Sequence, residues 1–369
     1  MTRTSIDLES LREMLERGAP VTVLDVRPED QRGEWWIPGS LHIDVYDALK
    51  AKDPNAMDGA KLPEGQPVVT VCAAGNSSAV AAKQLRNRGL EAYTLEGGMN
   101  AWSMAWNEAE VSVAGTDARV IQVRRTGKGC LSYLIGTGDE AAVIDASLDP
   151  KVYIDLAVSR GWKVTRVLDT HVHADHLSRS RSLAELVGAT LHMPEKTPVS
   201  YPFSALGDGE TLGIGTAQLE AVRTPGHTPE SACYLLDGRA LFTGDTLFID
   251  SVGRPDLGAA PGGAREKAHS LYASLSRLFE MAPETLVLPG HTGTPVSFDG
   301  VPVAGTLAEV RANVPLLHES EEAFVEKISG SAMPPPENYE RIVESNRAGE
   351  LPEGDPTELE AGANRCAVG

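Results

Sequence analysis

Apolar and polar positions along this chain switch between two periods, and the switches predict its elements. Residues 6–17 place Ile6, Leu8, Leu11, Met14 and Leu15 at helical spacing, and Gly18 stops the run. Residues 21–24 and 67–71 are short stretches rich in Val and Thr, which predict strands. Residues 77–88 return to the helical period and stop at Gly89. Strands alternating with helices predict a small α/β domain with a parallel sheet over residues 1–110. Around 109–115 the helical pattern fails and small residues predict a boundary.

From 116 to 300 strand-like stretches dominate: 118–123, 130–135, 141–145, 164–168, 219–222, 240–241 and 286–287, each followed by a polar loop. The remainder, 301–369, changes character. Residues 307–328 predict helix, Pro334-Pro335-Pro336 breaks the chain, and 339–346 predicts a short helix. The last stretch has no period and is expected to dock on the body or fray. A chain of 369 residues suits two domains better than one core.

Composition narrows the partners. The chain is 41% apolar, with a formal net charge of −19 and a pI near 4.9. Nucleic acid and anionic membrane are polyanions, so neither is expected as a main partner. No apolar run approaches a bilayer span, and the first ten residues lack the core of a secretion signal. Cys72, Cys130, Cys233 and Cys366 are scattered, which fits a reducing cytoplasm. Cys130 and Cys233 lie in apolar stretches and read as packing residues, and Cys366 as a docking residue.

The densest chemistry is Thr170-His171-Val172-His173-Ala174-Asp175-His176, where the strand 164–168 ends. Imidazoles and a carboxylate packed this closely predict a shared cation. His227, Asp245 and His291 each follow a further β stretch and sit in a Gly-containing turn, where glycine permits close backbone approach.

In this order the motifs resemble the metallo-β-lactamase superfamily over about 118–292. The resemblance implies an αββα sandwich that binds metal. Ser251-Val252-Gly253-Arg254-Pro255-Asp256-Leu257 is similar to an element of the persulfide dioxygenases. That resemblance implies one iron per chain on His171, His227 and Asp245. His173, Asp175, His176 and His291 would then orient ligands, hold water or serve a second metal. Arg254 would pair with Asp256 or with a substrate carboxylate. Thr292-Gly293 stands where glutathione-using members carry Asp-Tyr, and this leaves the carrier thiol open.

Cys72 ends the strand 67–71 and opens the loop Ala73, Ala74, Gly75, Asn76, Ser77 ahead of a helix. Successive N–H groups and a helix N-terminus there stabilise a sulfur anion. The segment 6–106 resembles single-domain rhodaneses, which implies a cysteine persulfide that passes sulfur on. The two resemblances together imply oxidation of a small thiol persulfide by O2 to sulfite and thiol, coupled to sulfur transfer with thiosulfate or sulfite. A homodimer is left open. The alternative is a dinuclear zinc thioester hydrolase of the glyoxalase II type with an accessory rhodanese domain.

Overall fold

The computed structural model describes residues 3–259, 263–330, 335, 338–362 and 364–368, so Pro334 and Pro336 of the expected break lie outside the described residues. Strands Ser5–Ile6, Ala92–Leu95, Val68–Val71, Thr22–Asp25 and Leu41–His42, in that spatial order, form a sheet paired in parallel throughout. All four residues of Val68–Val71 are buried, as a parallel strand covered on both faces requires. The first helix begins later than its apolar spacing suggests. Ile6 pairs with Leu95 as strand, and Asp7 caps helix Leu8–Glu16 by accepting the Ser10 N–H at 2.7 Å.

The second domain stacks two sheets. One orders Ser204–Leu206, Thr190–Pro194, Lys163–Leu168, Glu140–Ile144, Cys130–Thr137, Arg119–Arg125 and Asn107–Val111; the other orders Thr211–Ile214, Ala217–Arg223, Ala232–Leu236, Ala240–Gly244, Leu286–Pro289 and Gly305–Thr306. Between them lies an apolar core that includes Tyr133 and Phe242, with ring centroids 4.8 Å apart, and Leu219, Leu236 and Leu288. Helices Pro150–Ser159 and Ser180–Val187 cover one outer face, and Gly263–Leu278 and Glu321–Gly330 cover the other. This is the αββα arrangement.

Two boundaries differ from the sequence reading. Asn107–Val111 pairs antiparallel with Arg119–Arg125, so the change of sheet falls before Asn107 and not after 110. Its burial alternates, with Asn107, Ala109 and Val111 inside, but Asn and Glu disguise the short period-two pattern. The stretch 307–328 is two helices, Leu307–Asn313 and Glu321–Gly330, split at Pro315, whose ring cannot continue the first.

The two domains meet on the turn after Arg125. Trp35 Nε1 donates to the Thr126 carbonyl at 3.1 Å, Arg125 Nε to the Ser103 carbonyl at 2.8 Å, and the Gly127 N–H to Ala105 at 3.2 Å. The extension docks. Ile342 and Leu359 pack on Leu177, and Ala367–Val368 pairs with Val252–Gly253. Among the described residues no helix is long and apolar enough to cross a membrane.

Candidate functional site

Strand ends set the candidate ligands of the second domain. His171 follows Lys163–Leu168, His227 follows Ala217–Arg223, Asp245 follows Ala240–Gly244 and His291 follows Leu286–Pro289. One donor atom each from His171, His227 and Asp245 lies within 4.8 Å of the others, and all three residues are buried. His171 Nε2 stands 3.8 Å and His227 Nε2 3.6 Å from Asp245 Oδ2. These gaps exceed a hydrogen bond. They approach the spread of ligands that each sit about 2.1 Å from one shared ion. Asp245 Oδ2 is buried and has no hydrogen-bond partner among the described residues.

Both imidazoles are held with Nε2 inward. His227 Nδ1 donates to the Arg254 carbonyl at 2.9 Å. His171 Nδ1 donates to Thr170 Oγ1 at 2.9 Å, and that hydroxyl donates to Asp145 at 2.9 Å. Each Nε2 therefore presents a lone pair, the form a metal takes. Burial drives both imidazoles below their usual pKa, His173 adding to this at His171, so neutral rings face the carboxylate. Gly253 is required by crowding alone. A Cβ there would stand 1.8 Å from the Asp245 carbonyl oxygen. Two histidines, an unclaimed carboxylate oxygen and a buried cage fit a divalent transition metal.

The remaining candidates divide into two groups. His173 turns its Nε2 to Asp145 at 3.2 Å, with Asp169 at 3.9 Å. Asp175, His176 and His291 cluster with Cys130. Asp175 Oδ1 accepts from His176 Nδ1 at 3.1 Å, and Oδ2 accepts from Asn364 at 3.1 Å and Cys130 at 3.4 Å. His291 bonds Asp245 Oδ1 through Nδ1, while its Nε2 sits 2.8 Å from Asp175 Oδ2 but out of hydrogen-bond line. Burial and Asp175 push the Cys130 thiol up, and His176 and His291 outweigh them to bring it to about 7. Cys130 is therefore not the plain packing residue its apolar strand predicts. Cys233 does sit in apolar surroundings beside Val222 and Leu241. Arg254 is buried, grips Asp256 at 2.7 and 2.6 Å, and donates to the Arg365 carbonyl at 3.1 Å. Of the two partners open to it, the carboxylate of Asp256 is in place.

The extension braces the metal loop. Asn346 Nδ2 donates to the carbonyls of His173 at 2.8 Å and His176 at 2.9 Å, and its Oδ1 accepts the Ser178 N–H. Glu360 accepts the Leu177 N–H at 2.6 Å and pairs with Arg125 and Arg179 out of solvent. Cys366 lies with Asp245 and His291, its carbonyl accepting the Arg254 N–H at 3.0 Å. Burial pushes the Glu360 carboxyl up, and Arg125 and Arg179 more than reverse it, to about 2. A depressed carboxylate stabilises the fold above its unfolded pKa and loses that contribution as pH falls through the folded one. Thermal unfolding should therefore show wild-type stability falling from about pH 4.5 towards 2, with the Glu360→Gln variant flatter over that window.

In the first domain Cys72 follows Val68–Val71 and faces the start of helix Asn76–Asn87, with Gly75 at φ 87° turning the chain. The sulfur accepts from Ser78 N–H at 3.4 Å and Ser78 Oγ at 3.3 Å. Ser78 looked like an ordinary helix residue, and its position one residue beyond the named loop is the only sequence signal for it. Ala73 and Ala74 are exposed at the loop tip. The loop is fixed from below, where Met99 and Asn100 N–H groups donate to the Cys72 and Ala73 carbonyls at 2.8 and 3.0 Å. Gly98 makes this possible, since a Cβ there would lie 2.2 Å from the Cys72 carbonyl oxygen.

Each half matches a known family. The family model "Metallo-beta-lactamase superfamily" matches residues 125–291, and "Rhodanese-like domain" matches residues 7–105. A hydroxyacylglutathione hydrolase of Rhizobium johnstonii is 34% identical over 178 residues, covering 47% of this chain and 66% of the relative. The chain thus spans just under two thirds of that protein. The human mitochondrial persulfide dioxygenase ETHE1 is 28% identical over 219 residues, covering 58% of this chain and 82% of the relative. The crystal structure of ETHE1 from Myxococcus xanthus is 31% identical with a TM-score of 0.55, covering 62% of this chain and 98% of that one. The chain belongs to the metallo-β-lactamase superfamily, and it carries a rhodanese-like domain ahead of its metal-site domain.

Proposed function

We propose that the second domain oxidises a low-molecular-weight thiol persulfide with O2 at one iron, and that Cys72 moves sulfane sulfur for the same chemistry. One observation carries the mononuclear reading. Asp245 Oδ2 is unclaimed between two inward Nε2 atoms, whereas both Asp175 oxygens are already engaged by His176, Asn364 and Cys130. Iron held by His171, His227 and Asp245 would supply the redox chemistry between a sulfur anion and dioxygen. Relatives named persulfide dioxygenase support that choice of metal and substrate.

The protein's own part is to position and to exclude water. His227 borders a cleft of about 500 Å³ with Val172, Ala174, Lys267 and Tyr339. Val172 and Ala174 present an apolar wall to the sulfur, and Lys267 offers a charge to a carboxylate on the carrier. The net reaction is RSSH + O2 + H2O → RSH + sulfite + 2 H⁺, with four electrons passing from the outer sulfur to dioxygen. In the first domain, Ser78 at the start of the helix donates to the Cys72 sulfur through its N–H and its hydroxyl. Replacing Cys72 with Ser should abolish sulfur transfer between thiosulfate and thiols, by at least about 100-fold, as loss of a covalent nucleophile does. In a persulfide assay the oxygen-dependent product of that variant should be sulfite without thiosulfate.

The zinc thioester hydrolase is the second reading, supported by the hydroxyacylglutathione hydrolase relatives. It requires a second metal beside Asp175, whose Oδ2 already accepts from Asn364 and Cys130. Hydrolysis of S-lactoylglutathione at two zinc ions per chain, with no oxygen uptake on persulfide, would establish it over the first.

A further inference from the structure

The turn that joins Arg119–Arg125 to Cys130–Thr137 is enclosed, which is unusual for a connection between antiparallel strands. It is sandwiched between the first domain and the extension. A Cβ on Gly127 would meet the Trp102 carbonyl at 1.7 Å, and the Gly129 N–H turns back onto the Arg125 carbonyl at 2.7 Å. Lys128 sits at the crown of this turn and is only 3% exposed. The one hydrogen bond its ammonium makes among the described residues is to the Gly362 carbonyl, at a long 3.5 Å. An ammonium group buried without a carboxylate is costly unless an anion reaches it.

Lys128 borders a chamber of about 290 Å³, and Ala73, the residue after Cys72, borders it too. Arg27 and Arg365 also face this space, against one carboxylate, Glu34. Arg27 is committed to Asp25, at 2.7 Å, and Arg365 to Glu34, at 3.3 Å. Lys128 is left as the chamber's uncommitted charge among the described residues. On a chain of net charge −19 such a spot gathers small anions that the rest of the surface repels.

We propose that this interdomain chamber binds a small sulfur oxyanion, sulfite or thiosulfate, with Lys128 of the metal-site domain as its charged anchor beside the Cys72 loop. The inference rests on reading Cys72 as a sulfur-transfer cysteine. It also supplies what that loop lacks, since residues 72–77 contain no cation. With a Cys72 persulfide formed from a small persulfide donor, a sulfite lone pair attacks the outer sulfur. The new S–S bond forms as the bond to Cys72 Sγ breaks, Cys72 leaves as a thiolate, and thiosulfate is released without any external oxidant or reductant.

The test follows steady-state transfer from glutathione persulfide to sulfite in the full-length protein. Lys128→Met should raise the KM for sulfite at least about tenfold with kcat changed by less than about threefold, the scale of one lost charge-assisted hydrogen bond. Lys128→Arg should restore most of it. In the unaltered protein, sulfate should compete with sulfite, which tests the chamber even if a Lys128 variant folds poorly. A KM for Lys128→Met within about twofold of wild type, or the absence of competition by sulfate, would overturn the proposal. Transfer from Cys72 to thiols but never to sulfite would also overturn it and leave the role of Cys72 standing. No transfer to either acceptor would remove both.

Discussion

Asp245→Ala is expected to strip the metal and reduce oxygen uptake to background. Asp245 is the one group that touches both halves of the cage. Its Oδ2 faces His171 and His227, and its Oδ1 bonds His291. Removing it takes one of three donors from the ion, a larger loss than the ten- to hundredfold in affinity typical of removing a partner that only orients a ligand. Elemental analysis of the purified variant should find at most about a tenth of the wild-type metal. The histidines remain buried, and Asp175 still neutralises His291, so the fold should persist. A variant that keeps its full metal would move the ligand set elsewhere, to the Cys130, Asp175, His176 and His291 cluster.

Glu360→Ala should have the largest effect on stability. Glu360 is fully enclosed and joins three things: Arg125 of the interdomain turn, Arg179, and the Leu177 N–H just past His176. Truncation leaves two guanidinium groups buried without their carboxylate, which costs about 3–5 kcal/mol. For a domain of this size that corresponds to a fall in Tm of roughly 10 °C. The double change Arg125→Met with Glu360→Leu should recover part of the loss, because it removes charges in place of stranding them. Differential scanning calorimetry on the two variants decides this. A Tm change within about 2 °C for Glu360→Ala would mean the extension does not brace the metal loop.

The sequence made the candidate metal ligands legible because each lies in a local signal, a strand followed by a turn with glycine. Cys72 was legible for the same reason. The groups that hold these residues were not. Glu360 meets Leu177 across 183 positions, Asn346 meets His173 across 173, and Asn364 meets Asp175 across 189. Nothing in a window around any of them carries that information. Cys130 looked like packing because its neighbours are apolar; what makes it polar is Asp175 arriving from another strand end. Ile6 and the strand Asn107–Val111 were obscured differently, since pairing with distant strands overrode a short local pattern.

The extension also changes what the metal motif implies. Taken alone, His171 to His176 with His227, Asp245 and His291 supplies enough donors for two metals. The folded chain brings Asn364 onto Asp175 and places Cys366 beside Asp245 and His291. On the proposed reading, a one-metal centre and the docked extension are parts of one account.

Metal content and oxygen consumption, measured on the same freshly purified sample, test that account most directly. It predicts close to one iron per chain and one O2 consumed for each glutathione persulfide oxidised, with sulfite appearing in step. Two zinc ions per chain and no oxygen uptake on persulfide would contradict it.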